Sequence, residues 1–247
     1  MATFGLIGKT LSHSFSKPYF EKKFQNSNLE HTYSNFELNT VEELIELVKT
    51  DSTLAGLNVT IPFKEDVIPL LDSVSNNAKK IGAVNCILIQ RSNEVKLIGH
   101  NTDWIGFKNS LEPLLKPNLE FKALVLGTGG ASKAICYALM QLNIPHKLVS
   151  RERGDITYEE LTEQEIKNHK LIINTTPIGM SPNGNEFPFI PYLGITNQHI
   201  AYDLIYNPEK TQFLRKFELA SATIKNGLEM LSIQAEKGWE IWQKEST

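Results

Sequence analysis

The stretch FKALVLGTGGASKAICYALMQLNIPHKLVSR, residues 121–151, constrains the fold more than any other part of the chain. It reads as a strand, a glycine turn, a helix and a second strand. Gly127, Gly129 and Gly130 follow the first strand directly and open the helix. Glycines belong there when a turn must be tight and a pyrophosphate must approach the backbone, with the helix N-terminus offering unpaired N–H groups to the phosphates. The pattern is G-x-G-G-x-x-x-A, ending at Ala134, and Ser132 stands where a G-x-G-x-x-G fingerprint has its last glycine. Glycines alone often do no more than form turns. Their place inside a strand–helix–strand unit favours a dinucleotide. The second strand ends at Ser150-Arg151-Glu152-Arg153. An acid at that strand end suits a free ribose 2′-OH, whereas arginine suits a 2′-phosphate. Ser150, Arg151 and Arg153 favour NADP over NAD. Glu152 argues the other way, because its charge would repel a phosphate, and a solvated Arg-Glu-Arg loop is the plain alternative.

The rest of the chain alternates short apolar runs with helical spacing, which predicts an α/β fold. Strands are expected at 3–8, 32–38, 55–60, 170–176, 199–205 and 222–227, with a hairpin through Ser92-Asn93. Helices are expected with Pro18 in the first turn of one, after a Thr40/Glu43 capping box, from about Lys64, over NTDWIGFKNSLEPLL and over the last 20 residues. A change of character near residue 101 divides the chain into two α/β domains. The boundary near 100 and a second crossing near 225 set residues 1–100 plus 226–247 apart from 101–225, and the glycine turn makes the latter a doubly wound Rossmann-type dinucleotide domain.

Length and composition narrow the function classes. At 247 residues, with 41% hydrophobic and 21% charged residues, the chain is an ordinary globular protein with a real core. A formal net charge of −3 with scattered Lys and Arg gives no reason to expect nucleic acid or an anionic membrane. No window approaches 18 apolar residues, and the N-terminus lacks the pattern of a signal peptide, so a cytoplasmic location is expected. Cys86 and Cys136 lie in apolar segments and are expected as buried free thiols. The six histidines never fall at ligand spacing, so no metal is expected.

Several stretches combine small polar residues with Gly and Pro beyond what core packing requires: SHSFS (12–16), NVTIPFK (58–64), GAVN (82–85), HNTDWIGF (100–107), NTTPIGM (174–180), YNPEKT (206–211) and NGLEMLSIQ (226–234). Each has a plain reading on its own. Ser, Thr and Asn beside Pro or Gly build turns, Thr102 or Asp103 could cap a helix, Asn85 could satisfy a strand end, and Gln234 could be a solvated helix residue. Lys64 by residue type is a surface charge.

Taken together and in this order, the stretches resemble the shikimate dehydrogenase family over nearly the full chain, from SHSFS to MLSIQ. The resemblance implies reversible, NADPH-dependent reduction of 3-dehydroshikimate to shikimate in aromatic amino-acid biosynthesis. It implies Ser14 and Ser16 as the hydroxyls that hold the substrate carboxylate. Asn58, Thr60, Asn85 and Gln234 would then read the ring hydroxyls. Lys64 and Asp103 would be the acid–base pair of a hydride transfer that needs no metal. On the cofactor side it implies Gly127, Gly129, Gly130 and Ala131 at the phosphates, and Ser150 and Arg151 at the position of an N-R-T motif. There Ser replaces Asn and Glu152 replaces Thr. Thr175, Met180, Tyr206 and Gly227 complete the cofactor set. The resemblance implies that residues 1–100 plus 226–247 form the substrate domain and 101–225 the NADP domain, on either side of a cleft that closes on its ligands, in a monomer or a homodimer. The competing readings are a catabolic quinate/shikimate dehydrogenase that prefers NAD, a folate-type methylene dehydrogenase, and a non-catalytic nucleotide-binding regulator.

Overall fold

The structure, a computed structural model, describes residues 1–243 apart from His13, Asn118 and Arg153. The chain forms two compact units, one of Met1–Thr102 with Gln234–Thr247, the other of Asp103–Ile233. Arg153 and the last four residues of the expected C-terminal helix lie outside the described residues.

In the first unit the order is β1 (Thr3–Gly8), α1 (Ser16–Asn26), β2 (Thr32–Glu37), α2 (Glu43–Thr50), β3 (Leu54–Val59), β4 (Ser73–Val74), α3 (Asn76–Ile81), β5 (Cys86–Arg91) and β6 (Val95–His100). These strands make one sheet in the order β2-β1-β3-β5-β6-β4. β1 pairs in parallel with both β2 and β3, whereas β5 and β6 form an antiparallel hairpin joined antiparallel to β3. Alternation along the strands fills both faces. In β5, Ile87 and Ile89 join a core with Ile7, Leu44, Leu54 and Leu57, while Cys86 and Leu88 join another with Phe4, Phe20 and Tyr33.

The second unit comprises α4 (Asp103–Leu111), β7 (Ala123–Leu126), α5 (Gly130–Gln141), β8 (His146–Ser150), β9 (Ile156–Thr157), α6 (Glu163–Asn168), β10 (Leu171–Asn174), β11 (Ile200–Asp203), α7 (Gln212–Leu219), β12 (Thr223–Lys225) and the start of α8 (Leu228–Gln243). Its sheet runs β12-β11-β10-β7-β8-β9, and every pairing is parallel. Counted from β7 this is 6-5-4-1-2-3, the doubly wound order, with its switch point between β7 and β10. Central strands such as Ala123–Leu126 and Leu171–Asn174 are buried along their whole length, as strands covered on both faces must be. Met230 on the first turns of α8 belongs to this unit's core, while Ala235, Trp239 and Trp242 pack with Phe4 and Phe20. The chain therefore re-enters the first unit at Gln234 and not at 226.

Three local expectations need correction. From Lys64 the backbone makes successive turns and then a 3-10 helix at Ile68–Leu70, with Pro69 in its first turn, so no α-helix forms there. The Thr40/Glu43 box is half made: Glu43 accepts from the Thr40 N–H at 3.3 Å, but the residue preceding the helix is Glu42. Cys136 is half-buried; only Cys86 is fully buried.

Candidate active site

In the first unit a chain of neutral polar side chains lies beneath the sheet ends. Asn58 is the penultimate residue of β3, Asn85 precedes β5, and Thr102 follows β6; all three are buried, as is Gln234 on α8. The Thr102 N–H donates to Asn85 Oδ1 at 2.7 Å. A backbone N–H can only donate, so this bond fixes the Asn85 amide orientation. Asn85 Nδ2 then donates to Thr102 Oγ1 at 3.0 Å and to Gln234 Oε1 at 3.2 Å. Gln234 is thereby turned with its carbonyl towards Asn85, which leaves its NH2 as the donor end. Asn58 Nδ2 donates to the Asn85 carbonyl at 3.4 Å, and its Oδ1 accepts from the Tyr33 hydroxyl at 2.7 Å. Ser16 also hydrogen-bonds Tyr33, whose complete burial drives its hydroxyl well above the usual tyrosine range. Gln234 is thus no solvated helix residue, and Thr102 does more than flank a helix.

Ser16, the first residue of α1, is buried beside this network. The Ser14 hydroxyl is buried and has no hydrogen-bond partner among the described residues. A buried orphan donor costs about 1–3 kcal/mol, a cost that an acceptor such as a carboxylate would remove. Thr60 is half-buried, with its N–H donated to the Ile7 carbonyl at 3.0 Å. Lys64 is half-buried too, and its carbonyl accepts from the Val84 N–H at 2.7 Å, which pins this turn to the GAVN segment. α1 is tied to α8 by Glu236, which accepts from Lys23 Nζ at 2.7 and 2.9 Å and from the Tyr19 hydroxyl.

The second unit holds the remaining candidates. Asp103 opens α4 and is buried. Gly127 leaves β7 at φ +110°, and a Cβ there would lie 2.9 Å from Thr175 Oγ1. Gly129 differs: it has ordinary extended backbone, and a Cβ would meet nothing within 4 Å. Space over an exposed backbone at the N-terminus of the 12-residue α5, with Gly130 and Ala131 in its first turn, fits a dinucleotide pyrophosphate. Ser132, buried in the third-glycine position, donates to the Gly129 carbonyl at 2.6 Å and so helps shape the turn. At the end of β8, Ser150 is buried and accepts the Glu152 N–H at 3.3 Å, while Arg151 is exposed.

On the other side of the switch point, two segments follow β10 and β11. Thr175 donates to the Leu126 carbonyl through both N–H and hydroxyl, at 3.0 and 2.7 Å. Met180 is exposed, Tyr206 is half-buried and Gly227 is buried. Beneath them sits Asp203, fully buried, which accepts from Thr211 Oγ1 at 2.6 Å, Asn174 Nδ2 at 3.1 Å and the Ile205 N–H at 3.1 Å. Burial pushes its carboxyl up to about 6 despite these three donors. Among the described residues, no three His, Cys, Asp or Glu side chains could jointly hold a metal ion, and no helix is long and apolar enough to cross a membrane.

Comparison with known proteins decides the family. The profile of the shikimate dehydrogenase substrate binding domain matches residues 6–87. A shikimate dehydrogenase (NADP(+)) of Clostridium beijerinckii is 40% identical, over 99% of this chain and 93% of its own. The chain belongs to the shikimate dehydrogenase family. A shikimate dehydrogenase crystal structure from Peptoclostridium difficile superposes with a TM-score of 0.85 at 37% identity, covering 99% of this chain and 92% of its own. The Thermus thermophilus shikimate 5-dehydrogenase, solved in complex with NADP(H) and shikimate, gives 0.86 at 28% identity, covering 99% and 94%.

Residue spacing did not reveal the supporting side chains. Tyr33 shows only as an inward position of an alternating strand, and Asp203 and Asn174 only as polar residues closing apolar runs. A polar residue at the C-terminal end of a buried parallel strand was the available signal.

Proposed function

We propose that this chain is an NADP-dependent shikimate dehydrogenase, an oxidoreductase that interconverts 3-dehydroshikimate and shikimate in the cytoplasm. The observation that carries the reading is the buried network of Asn58, Asn85, Thr102 and Gln234, drawn from distant parts of the sequence into the first unit. Oriented amides and a hydroxyl are suited to a polyol, and core packing has no use for them.

The first unit, Met1–Thr102 with Gln234–Thr247, serves as the substrate domain, and the second, Asp103–Ile233, as the cofactor domain. Ser14 and Ser16 bind the carboxylate by hydroxyl donation, and the orphaned Ser14 hydroxyl supports this. Asn58, Thr60, Asn85 and Gln234 fix the ring hydroxyls and so select which carbon reacts. The Lys64 ammonium donates a proton to the carbonyl oxygen during reduction, and the neutral amine takes it back from the alcohol during oxidation. Asp103 supplies the carboxylate of the acid–base pair and accepts from a ring hydroxyl. Gly127, Gly129, Gly130 and Ala131 would hold the pyrophosphate, and Ser150 and Arg151 the 2′-phosphate. Thr175, Met180, Tyr206 and Gly227 would line the nicotinamide side. When bound, the dinucleotide supplies or accepts the hydride.

The test is turnover of shikimate and of quinate, each with NADP and with NAD. Shikimate with NADP should be the best pair. Faster turnover of quinate with NAD would overturn the reading in favour of the catabolic relative. NADP binding without any shikimate-dependent reduction would favour a regulator.

A further inference from the structure

We propose that Asp203 is the positioning residue of the cofactor half, setting from beneath the two segments that carry Thr175, Met180, Tyr206 and Gly227. The inference rests on the reading of those four residues as cofactor-binding.

Asp203 is the last residue of β11 and lies beside Asn174, the last residue of β10; the two pair directly in the sheet. One carboxylate therefore reaches both crossovers. Towards the first segment, Asp203 Oδ1 accepts from Asn174 Nδ2, and Asn174 Oδ1 in turn accepts from the Thr176 N–H at 3.1 Å and the Thr176 hydroxyl at 2.7 Å. The Thr176 oxygen accepts the Ile178 N–H at 3.3 Å, and Asn174 Nδ2 also reaches the Ile178 carbonyl at 3.3 Å. Thr175 and Met180 are carried on this stretch. Towards the second segment, Asp203 accepts the Ile205 N–H, one residue before Tyr206, and holds the hydroxyl of Thr211, which caps α7 through the Leu214 N–H. The Ile205 carbonyl receives the Gly227 N–H at 3.2 Å, and the Asn207 carbonyl receives the Ser181 N–H at 3.2 Å, joining the two segments.

Every group aimed at Asp203 is a donor, so the site requires an acceptor there and has no use for an apolar side chain. The charge itself is dispensable. In Asp203→Asn the carbonyl can keep Asn174 and Ile205, while the new NH2 faces Thr211, whose oxygen can accept. Asp203→Ala instead leaves three buried donors unpaired.

The experiment compares Asp203→Ala, Asp203→Asn, Thr176→Val and Met180→Ala. It reads KM for NADP, KM for shikimate, and amide hydrogen exchange over 175–181 and 204–211 in the enzyme without nucleotide. Asp203→Ala should raise KM for NADP about tenfold, leave KM for shikimate within about twofold, and speed exchange in both segments but not in β7. Asp203→Asn should stay near wild type. Should Asp203→Ala not fold, Thr176→Val must show the same pattern at about threefold, confined to 175–181. Unchanged NADP kinetics and exchange in these variants, or an equal rise in both KM values, would overturn the proposal. If Met180→Ala leaves KM for NADP unchanged while Asp203→Ala speeds exchange, the cofactor reading of the segment fails, and the inference with it.

Discussion

The two units solve the same problem, the fixing of polar groups inside a protein, with different chemistry. The first unit uses neutral partners: Tyr33, Asn58, Asn85, Thr102 and Gln234 orient one another, and burial moves the Tyr33 hydroxyl away from the physiological range. The second unit gathers Asn174, Ile205 and Thr211 as donors on the buried Asp203 carboxylate, which burial pushes up to about 6. A neutral network keeps its hydrogen-bond pattern at any moderate pH. A carboxylate accepts more bonds, but its charge costs free energy when buried.

That contrast can be broken in several ways. The largest effect is expected at Gly129, where a side chain finds open space and ordinary backbone, so the fold should tolerate Gly129→Val while the proposed phosphate cradle does not. Loss of backbone bonds to a charged ligand predicts a fall in NADP affinity of about 3–6 kcal/mol by calorimetry, with little change in Tm. The next effect is pH-dependent. Burial raises the folded pKa of Asp203 from 3.8 to about 6, so its contribution is fully present at low pH and is lost as pH rises through about 6. Asp203→Asn should remove up to about 3 kcal/mol of this slope between about pH 4 and 6, seen as converging and then crossing urea denaturation midpoints. On the other side, Asn85→Ala strands the Thr102 N–H and should cost about 2 kcal/mol with no slope over the same range. A pH-dependent loss there would erase the contrast. The smallest effect is expected at the clamp between α1 and α8: Tyr19→Phe removes one partly exposed bond to Glu236 and should cost about 1 kcal/mol or less.

The sequence made the large elements legible where periodicity was strong. The glycine turn, the hairpin through Ser92-Asn93 and the parallel strands at 123–126 and 171–174 all carry patterns that local sterics enforce. It misled at Lys64, where apolar spacing suggested a helix but the chain makes turns and a single 3-10 segment. In the candidate site, the family resemblance marked Asn58, Asn85 and Gln234, yet no spacing rule could show that Gln234 meets Asn85 across 149 positions. Tyr33 and Asp203 stayed hidden because their importance lies in bonds between strands, which register creates and local pattern does not.

The proposed function turns on Lys64 acting as a proton donor and acceptor and not as a surface charge. The direct test is steady-state kinetics of Lys64→Ala with shikimate and NADP. If Lys64 moves the proton, kcat should fall by about 10²–10⁴, with KM for shikimate within a few-fold of wild type and an unchanged Tm. Turnover near the wild-type level in a folded Lys64→Ala enzyme would contradict it.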